Sequence, residues 1–352
     1  MNHRERIASV ACAFAGRPDL GFETEADLYT LLDLELGAAA ALDQPVRQGK
    51  ISRQALAPES IYHICASTLA VSAETSLLLG LLLGSRLYFK LPSSGLPEFE
   101  ATVAALPPEL REKVVLLHHH DAALMKSAPA VVVFGSDETQ REIHQELDWH
   151  QKHLAYGHKI SLGWINAEDI SPDLADRAAQ EILAHGQLGC LSPQAYLCAA
   201  DAPVFAAMLA RSLAQQTAAR ASLPSDFARS VLRRDWILRA QVRGDTVMED
   251  ESKAWAVALA ESSVWDFGPG GACINVVPFN PDHTRVQWLG RLSSVSYSSW
   301  PLPEALEQLF LQAGARRFCP IGQLQKPDLC WQHDGRPRLA DLVSWITLET
   351  RK

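Results

Sequence analysis

What this sequence has little of narrows the field first. Its 352 residues hold seven cysteines, an odd number, and no two of them stand as C-x-x-C. That argues against a disulfide framework or a thiolate zinc site and for a reducing compartment, so a cytoplasmic location is expected. There is no G-x-G-x-x-G fingerprint, no P-loop and no H-E-x-x-H. Cationic residues are in deficit, 32 Lys and Arg against 41 Asp and Glu, giving a net charge of -9 and a pI near 5.7. A mainly electrostatic grip on nucleic acid is thereby excluded, although a local basic pocket for a phosphorylated cofactor is not. Long apolar runs are missing too. The most apolar segment, Leu77 to Leu83, is far short of the roughly 20 residues a bilayer requires and reads as a buried helix.

What is present is ordinary globular material, 47% hydrophobic and 21% charged, in a chain long enough for one large domain or two ordinary ones. Near the N-terminus, Arg4 and Arg6 precede an apolar run ending in Ala13-Phe14-Ala15-Gly16. This run has no leucine, and cleavage there would consume most of it. It is read as the start of an amphipathic helix, with a secretory leader as the alternative.

From about Ile61 to Ile165 short strand-like runs alternate with helical ones. Ser72–Leu83 is a buried helix, and Leu87–Phe89, Val114–Leu117 and Ala130–Phe134 are strands. A short turn of helix covers Ala122–Lys126. Asp137 is placed to cap a helix running to His150, and Ile160–Ile165 is a further strand. Such alternation predicts βαβ units and a parallel, doubly wound sheet. After a helix ending near His185 the pattern resumes. Strands are expected at Ala195–Leu197, Ile274–Val277, Val286–Leu289, Ser293–Tyr297 and Arg317–Pro320. Helices are expected at Phe205–Leu213, Ser225–Val242 and Leu302–Ala313. Gly268–Gly271, the stretch around Pro278–His283 and Lys326–Arg338 read as loops. Two α/β domains result, with the boundary near residue 186.

Several segments could carry chemistry. Gly186-Gln187-Leu188-Gly189-Cys190-Leu191-Ser192-Pro193 sets a cysteine among small residues between a helix and a strand. A nucleophilic thiol needs backbone room for a tetrahedral adduct and N–H donors for its oxyanion, which the glycines allow. An ordinary loop with a buried cysteine is the other reading, because no base is named nearby. Lys90-Leu91-Pro92-Ser93-Ser94 follows a strand, where α/β sheets gather ligands, and offers a cation and hydroxyls for ribose and phosphate. Taken alone, the motif reads first as a solvated turn. Phe134-Gly135-Ser136-Asp137 joins a strand to a helix N-terminus, which suits either a pyrophosphate or plain capping. Histidines crowd residues 118–158, and His150 and His153 could share a helix face. Without a recognisable ligand set no metal is expected. His333-Asp334-Gly335 reads first as a turn.

The order of these signals is more specific than any one of them. A hydroxyl-bearing turn after His63, then Lys-x-Pro-Ser, Phe-Gly-Ser, Gly-His-Lys and Gly-Gln-x-x-Cys, resembles the aldehyde dehydrogenase superfamily. Three segments are similar to its acyl-CoA reductase branch, typified by the luciferase-system fatty acid reductase. They are His63 through Gly80 to Lys90, Gln187 to Gln194 and the His333-Asp334-Gly335 ending. The resemblance runs from about Ile61 to Trp345. It implies two Rossmann-like, three-layer domains with mostly parallel sheets. Residues 1–185 would bind the nicotinamide cofactor, with 339–352 returning to them, and 186–338 would carry the nucleophile.

Carried over residue by residue, Cys190 would accept the acyl group. Lys90 and Ser93 would contact the adenosine ribose and its 2′ substituent, and Gly135 and Ser136 would line the pyrophosphate and nicotinamide. Many NAD-preferring relatives have a glutamate where Ser93 stands, so the resemblance favours NADPH. Two departures stand out. Ala155, 35 residues before Cys190 (190 − 155), occupies the place of the glutamate that activates water in hydrolytic relatives. Thr68 takes the place of the oxyanion-binding asparagine. The first favours reduction over oxidation to an acid. The second keeps open a catalytically degenerate homologue that binds acyl groups or a partner without turnover. The implied function is NADPH-dependent reduction of an acyl thioester to an aldehyde. Implied partners are acyl-CoA or an acyl carrier protein, an acyl-protein synthetase and, by analogy alone, a second copy in a homodimer.

Overall fold

The structure, a computed structural model, describes residues 1–218, 227–279 and 290–349. The chain divides into two compact units, Met1–His158 together with Lys326–Lys352, and Lys159–Gln325.

The first unit opens with helices α1 (His3–Ala13) and α2 (Glu25–Leu36). Helix α1 starts in a reciprocal cap, with Glu5 N–H donating to Asn2 Oδ1 at 3.0 Å and Asn2 N–H to Glu5 Oε2 at 3.0 Å. Strands β1 (Val46–Gln48) and β2 (Ile51–Leu56) form a hairpin. The alternating pattern then delivers β3 (Ser60–Ile64), α3 (Ala70–Leu83), β4 (Arg86–Lys90), α4 (Pro97–Ala105), α5 (Pro108–Arg111), β5 (Val114–Leu117), α6 (Ala122–Ser127), β6 (Ala130–Phe134), α7 (Asp137–Glu146) and β7 (Lys152–Tyr156). The last five strands make a parallel sheet in the order β5-β4-β3-β6-β7. Period-two alternation splits its side chains between two cores. Ile61, Phe89 and Val132 pack with Leu77, Leu78 and Leu81 of α3, whereas Tyr62, Ile64, Val131 and Val133 pack with Met125 and Ile143. A parallel sheet covered on both faces is the three-layer arrangement expected. Each fully buried leucine of α3 contributes about 1.5–3 kcal/mol relative to exposure.

The second unit comprises β8 (Ile160–Ile165), α8 (Pro172–Leu183), β9 (Pro193–Cys198), α9 (Ala202–Ala218), α10 (Phe227–Val242), β10 (Thr246–Glu249), β11 (Ala256–Leu259), β12 (Cys273–Pro278), β13 (Leu292–Tyr297), α11 (Glu304–Gln312) and β14 (Arg317–Pro320). Its sheet runs β10-β11-β12-β9-β8-β13-β14, parallel except for β10 against β11. Leu174 and Ile182 of α8 with Phe205 and Leu209 of α9 cover one face, and Leu306 and Phe310 of α11 the other. Among the described residues no helix is long and apolar enough to cross a membrane.

The chain returns to the first unit for β15 (Ser344–Glu349), antiparallel to β2. Lys152 Nζ donates to Val343 O at 2.7 Å, tying the returning segment to edge strand β7.

Four expectations need correction. The boundary expected near residue 186 falls between His158 and Lys159, because β8 pairs with β9 and β13 and α8 packs on α9. The return begins at Lys326 rather than at 339. Ser136, not Asp137, caps α7, its Oγ accepting from Thr139 N–H at 3.2 Å. That helix ends at Glu146, since Gln151 turns the chain by donating to Met125 O at 2.8 Å and Ala128 O at 2.7 Å. His150 and His153 therefore share no helix face. Ser225 and Val286–Leu289 lie outside the described residues, as does the end of the Pro278–His283 loop.

His63 is an anomaly inside the first core. Its ring lies parallel to Phe89 at 4.3 Å, and neither ring nitrogen has a hydrogen-bond partner. Burial drives its pKa from 6.5 down to about 3. The folded chain therefore keeps the imidazole neutral while the unfolded chain protonates below 6.5. Stability is fully present above 6.5 and is lost as the pH falls toward 3. His63→Leu is expected to remove up to about 1.4 kcal/mol per pH unit of this acid sensitivity. Urea unfolding between pH 7 and 4 checks it, and an unchanged slope would refute it.

Candidate active site

In the first unit the sequence-singled residues converge on one edge. The chain leaves β3 for β4 and β5 on one side and returns to β6 on the other, so the order reverses between β3 and β6. Ligands in open α/β sheets collect outside the carboxyl ends of strands at such a point. Thr68 lies in the bend after β3, Lys90 at the end of β4, Ser93 in the following turn, and Gly135 and Ser136 after β6.

Thr68 and Ser93 are exposed, and Lys90 is half-buried. Cys65 N–H donates to Lys90 O at 3.1 Å, which joins the ends of β3 and β4. The turn from Leu91 to Leu96 has no carboxylate of its own, although Glu100 reaches back to accept from Leu96 N–H at 3.1 Å. At Gly135 a Cβ would crowd Thr139 at 3.1 Å, so the backbone there is closely packed on α7. Asp137 and Glu138 follow in the first helical turn, and their charge opposes a pyrophosphate at that terminus. These positions thus fit a dinucleotide unevenly, with cation and hydroxyls after β4 and a close, weakly polar approach after β6.

Cys190 stands in the second unit, in the loop between α8 and β9, at the amino edge of the sheet. Three successive residues there are left-handed, His185 (φ 51°), Gly186 (φ 62°) and Gln187 (φ 60°). Such backbone costs of order 1–3 kcal/mol for each non-glycine residue and persists only when its surroundings dictate it. The buried Gln187 amide supplies that, donating to Pro193 O at 2.9 Å and Cys273 O at 3.0 Å. Gly271 N–H donates to Gly186 O at 2.9 Å. Ser161 Oγ donates to Cys190 O at 2.8 Å. Ser192 Oγ accepts from Gly189 N–H at 3.2 Å and from Gln325 Nε2 at 2.9 Å.

The other cysteines are poor rivals. Burial pushes the thiols of Cys65, Cys198 and Cys319 up to about 12 and that of Cys273 to about 11, and Cys330 is also raised. Cys12 is exposed on α1. Cys190 is half-buried, and among the described residues of the second unit it is the one cysteine that is not buried. Cys190 thus combines partial exposure with a loop anchored to the strands beside it.

The reading of the sequence missed the partners of this loop. Gly268–Gly271, taken only as a connection, packs against it. A Cβ on Gly270 (φ +81°) would fall 3.0 Å from Leu188 Cδ2 and 3.3 Å from Gln187 O. Ser161 and Gln325, remote in sequence, carried no local signal. His333 does form the expected turn, with Asp334 at φ 53°, and its ring stacks on Tyr156 at 4.3 Å. Burial lowers its pKa to about 4. Among the described residues no group of three or more His, Cys, Asp or Glu is placed to hold a metal.

Two α/β units with these sheet orders, one bearing a strained cysteine loop, define the aldehyde dehydrogenase fold. A structure described as an aldehyde dehydrogenase, PutA, from Anabaena variabilis superposes with a TM-score of 0.68 at 15% identity, covering 99% of this chain and 89% of that one. Δ1-Pyrroline-5-carboxylate dehydrogenase from Mycobacterium tuberculosis, bound with NAD, gives 0.65 at 15% identity over 99% and 79%. Within that class the chain belongs to the acyl-CoA reductase (LuxC) family, which residues 21–345 match. It is 22% identical over 346 residues to the long-chain acyl-protein thioester reductase of Vibrio harveyi, covering 92% of this chain and 71% of the relative.

Gln187→Ala removes both donors that hold the left-handed turn. It is expected to destabilise the second unit by about 2–3 kcal/mol. Gln187→Gly, which relieves the backbone, should recover about 1 kcal/mol of that. Chemical denaturation of the two variants provides the check; equal losses would show that backbone strain plays no part.

Proposed function

We propose that this protein reduces acyl thioesters, carried on coenzyme A or a carrier protein, to aldehydes with NADPH through an acyl-cysteine on Cys190. The single observation carrying this reading is the placement of Cys190 in a strained loop of the second unit, whose other described cysteines, Cys198, Cys273 and Cys319, are buried. Support for the acyl substrate comes from family membership and from the Vibrio harveyi relative, a reductase of acyl-protein thioesters.

The Cys190 thiolate attacks the thioester carbonyl, forming an S–C bond. The tetrahedral adduct collapses by breaking the carbonyl's bond to the carrier sulfur, which leaves as a thiolate and takes up a proton. A nicotinamide cofactor, its adenosine end held by Lys90 and Ser93, would when bound supply a hydride to the acyl carbon. The second adduct then expels the Cys190 sulfur, freeing the aldehyde and restoring the thiolate. Thr68 would donate its hydroxyl to the developing oxyanion, a single donor where loss typically costs about 10²–10³ in rate. Lys90 and Ser93 would hold the adenosine end of the cofactor. Ala155 lacks any group able to activate water, so the acyl-enzyme persists long enough to be reduced.

Intact-mass measurement across a series of acyl-CoAs tests the first half. The chain should gain one acyl mass, lose it on addition of NADPH, and release an aldehyde that a hydrazine traps. Cys190→Ala should do neither. A chain that no thioester acylates, or one acylated elsewhere, would sink the proposal. A lasting adduct that NADPH cannot discharge would mark a degenerate homologue instead. Ser93→Glu tests the cofactor. A carboxylate beside the 2′-phosphate should raise KM for NADPH roughly tenfold or more while lowering that for NADH, because an unscreened like charge costs at least about 1.4 kcal/mol there. Unchanged KM values would remove Ser93 from the cofactor site.

A further inference from the structure

A buried guanidinium stands unused in the first unit. Arg338, in the segment that returns there from Lys326 onward, is 6% exposed. Among the described residues it enters no ion pair, and its Nε and Nη2 are buried without a hydrogen-bond partner. Glu35 and Asp328 attract it through space, but both carboxylates serve backbone donors instead. Glu35 Oε1 accepts from Arg338 N–H at 3.1 Å, and its Oε2 from Leu339 N–H at 2.5 Å and Ala340 N–H at 3.0 Å. Asp328 Oδ1 accepts from Cys330 N–H at 2.7 Å. Nε and Nη2 form one edge of the guanidinium fork, the edge with which Arg17 of this chain grips Asp19 at 2.9 and 2.7 Å. Burying that edge empty is costly, because a charge taken from water needs hydrogen-bond partners to offset the loss.

The neighbours of Arg338 belong to the carboxyl edge of the parallel sheet. Its charge acts on Tyr156, the last residue of β7, and on His333. Tyr156 pairs with Phe134, the last residue of β6, and its carbonyl accepts from Gly135 N–H at 3.3 Å. His333 stacks on Tyr156, and Trp331 on His333 with ring centroids 4.7 Å apart. Tyr156 and Arg338 are buried in this group, whereas Phe134, Trp331 and His333 are partly exposed, so the cluster reaches the surface on its aromatic side. The same edge holds the Gly135-Ser136 turn and the start of α7, where Asp137 and Glu138 supply charge of the wrong sign for a phosphate. A phosphate arriving there requires a cation from another segment.

We infer that Arg338 is a phosphate-binding residue, whose guanidinium takes the oxygens of a phosphate ester brought to the ends of β6 and β7. A guanidinium is planar, permanently charged and forked, and it matches phosphate oxygens in pairs. Such a group would fill the empty Nε and Nη2 edge and would bring the positive charge that the start of α7 lacks. This deepens the proposed function and rests on its assignment of Gly135 and Ser136 to the pyrophosphate. The same chemistry has two sources in the proposed reaction, the pyrophosphate of the dinucleotide and the phosphates of coenzyme A.

Thermal unfolding of the full chain gives the first test. Inorganic phosphate should raise the wild-type midpoint relative to chloride at equal ionic strength. Arg338→Met, similar in shape but uncharged, should melt above the wild type without ligand and lose the phosphate response. Arg338→Lys should keep part of that response. Binding then identifies the source. Nicotinamide fluorescence gives Kd for NADPH, and intact mass gives the half-saturating concentration for acylation by an acyl-CoA and by the matching N-acetylcysteamine thioester, which has no phosphate. Arg338→Met should weaken the ligand whose phosphate Arg338 holds roughly tenfold or more, as loss of a hydrogen bond to a charged group commonly does. A loss for NADPH assigns the dinucleotide; a loss for acyl-CoA exceeding that for the N-acetylcysteamine thioester assigns coenzyme A. The inference is overturned if phosphate leaves the wild-type midpoint unmoved or if neither constant changes. It is equally overturned if Arg338→Met melts below the wild type, since the guanidinium then holds the fold. If no thioester acylates Cys190 while NADPH binding still depends on Arg338, the catalytic reading falls and the phosphate site stands.

Discussion

The amide of Gln187 governs the shape of the loop that carries Cys190. Three successive left-handed residues would relax without an external hold, and two of them have side chains that disfavour that backbone. The amide bonds from Gln187 to Pro193 O and Cys273 O span the starts of β9 and β12, so the loop takes its shape from two strands it does not belong to. Ser161 at the start of β8 adds a third anchor through Cys190 O. The cysteine is therefore carried by a loop anchored at three points to the sheet edge, the support that the proposed attack on a carbonyl in fixed geometry would need.

The two units use their parallel sheets differently. In the first, the turns at the carboxyl ends of β3, β4 and β6 gather Thr68, Lys90, Ser93, Gly135 and Ser136. In the second, the loop that carries Cys190 sits at the amino end of β9. Burial on both faces makes both arrangements possible, since it leaves only sheet edges for polar work. The same burial silences most thiols. Cys198 and Cys273 lie in strands whose side chains point into cores, and desolvation holds them protonated.

Much of this was legible in the sequence. Val114–Leu117, Ala130–Phe134, Ile160–Ile165 and Arg317–Pro320 are strands within the bounds expected, because a buried parallel strand is a short apolar run between turn residues. What escaped had no local period. Strand β7, Lys-His-Leu-Ala-Tyr, mixes charge with hydrocarbon because it is an edge covered by a returning segment. Strand β15 is mostly exposed and finds its partner β2 nearly three hundred residues earlier, a pairing no window can detect. The domain boundary was misjudged for a related reason. Strand β8 continues the alternation of the first unit in sequence but hydrogen-bonds to β9 and β13 in space. At the site, Cys190 and Gln187 carried their signal in a motif, whereas Ser161 and Gln325 act through tertiary contacts alone.

The interleaving of the chain has a consequence for its synthesis. The second unit is one continuous stretch, Lys159–Gln325, whereas the first is closed by residues from Lys326 onward. During translation the second unit can complete its cores while β7 still waits for the segment that ties to it through Lys152 and Val343. Until then β2, paired on one side with β1, lacks β15 on its other side and presents an open strand edge to the crowded surroundings of the ribosome. Premature termination before Lys326 would leave that edge bare for good, so a truncated product would aggregate rather than persist as a half-active enzyme.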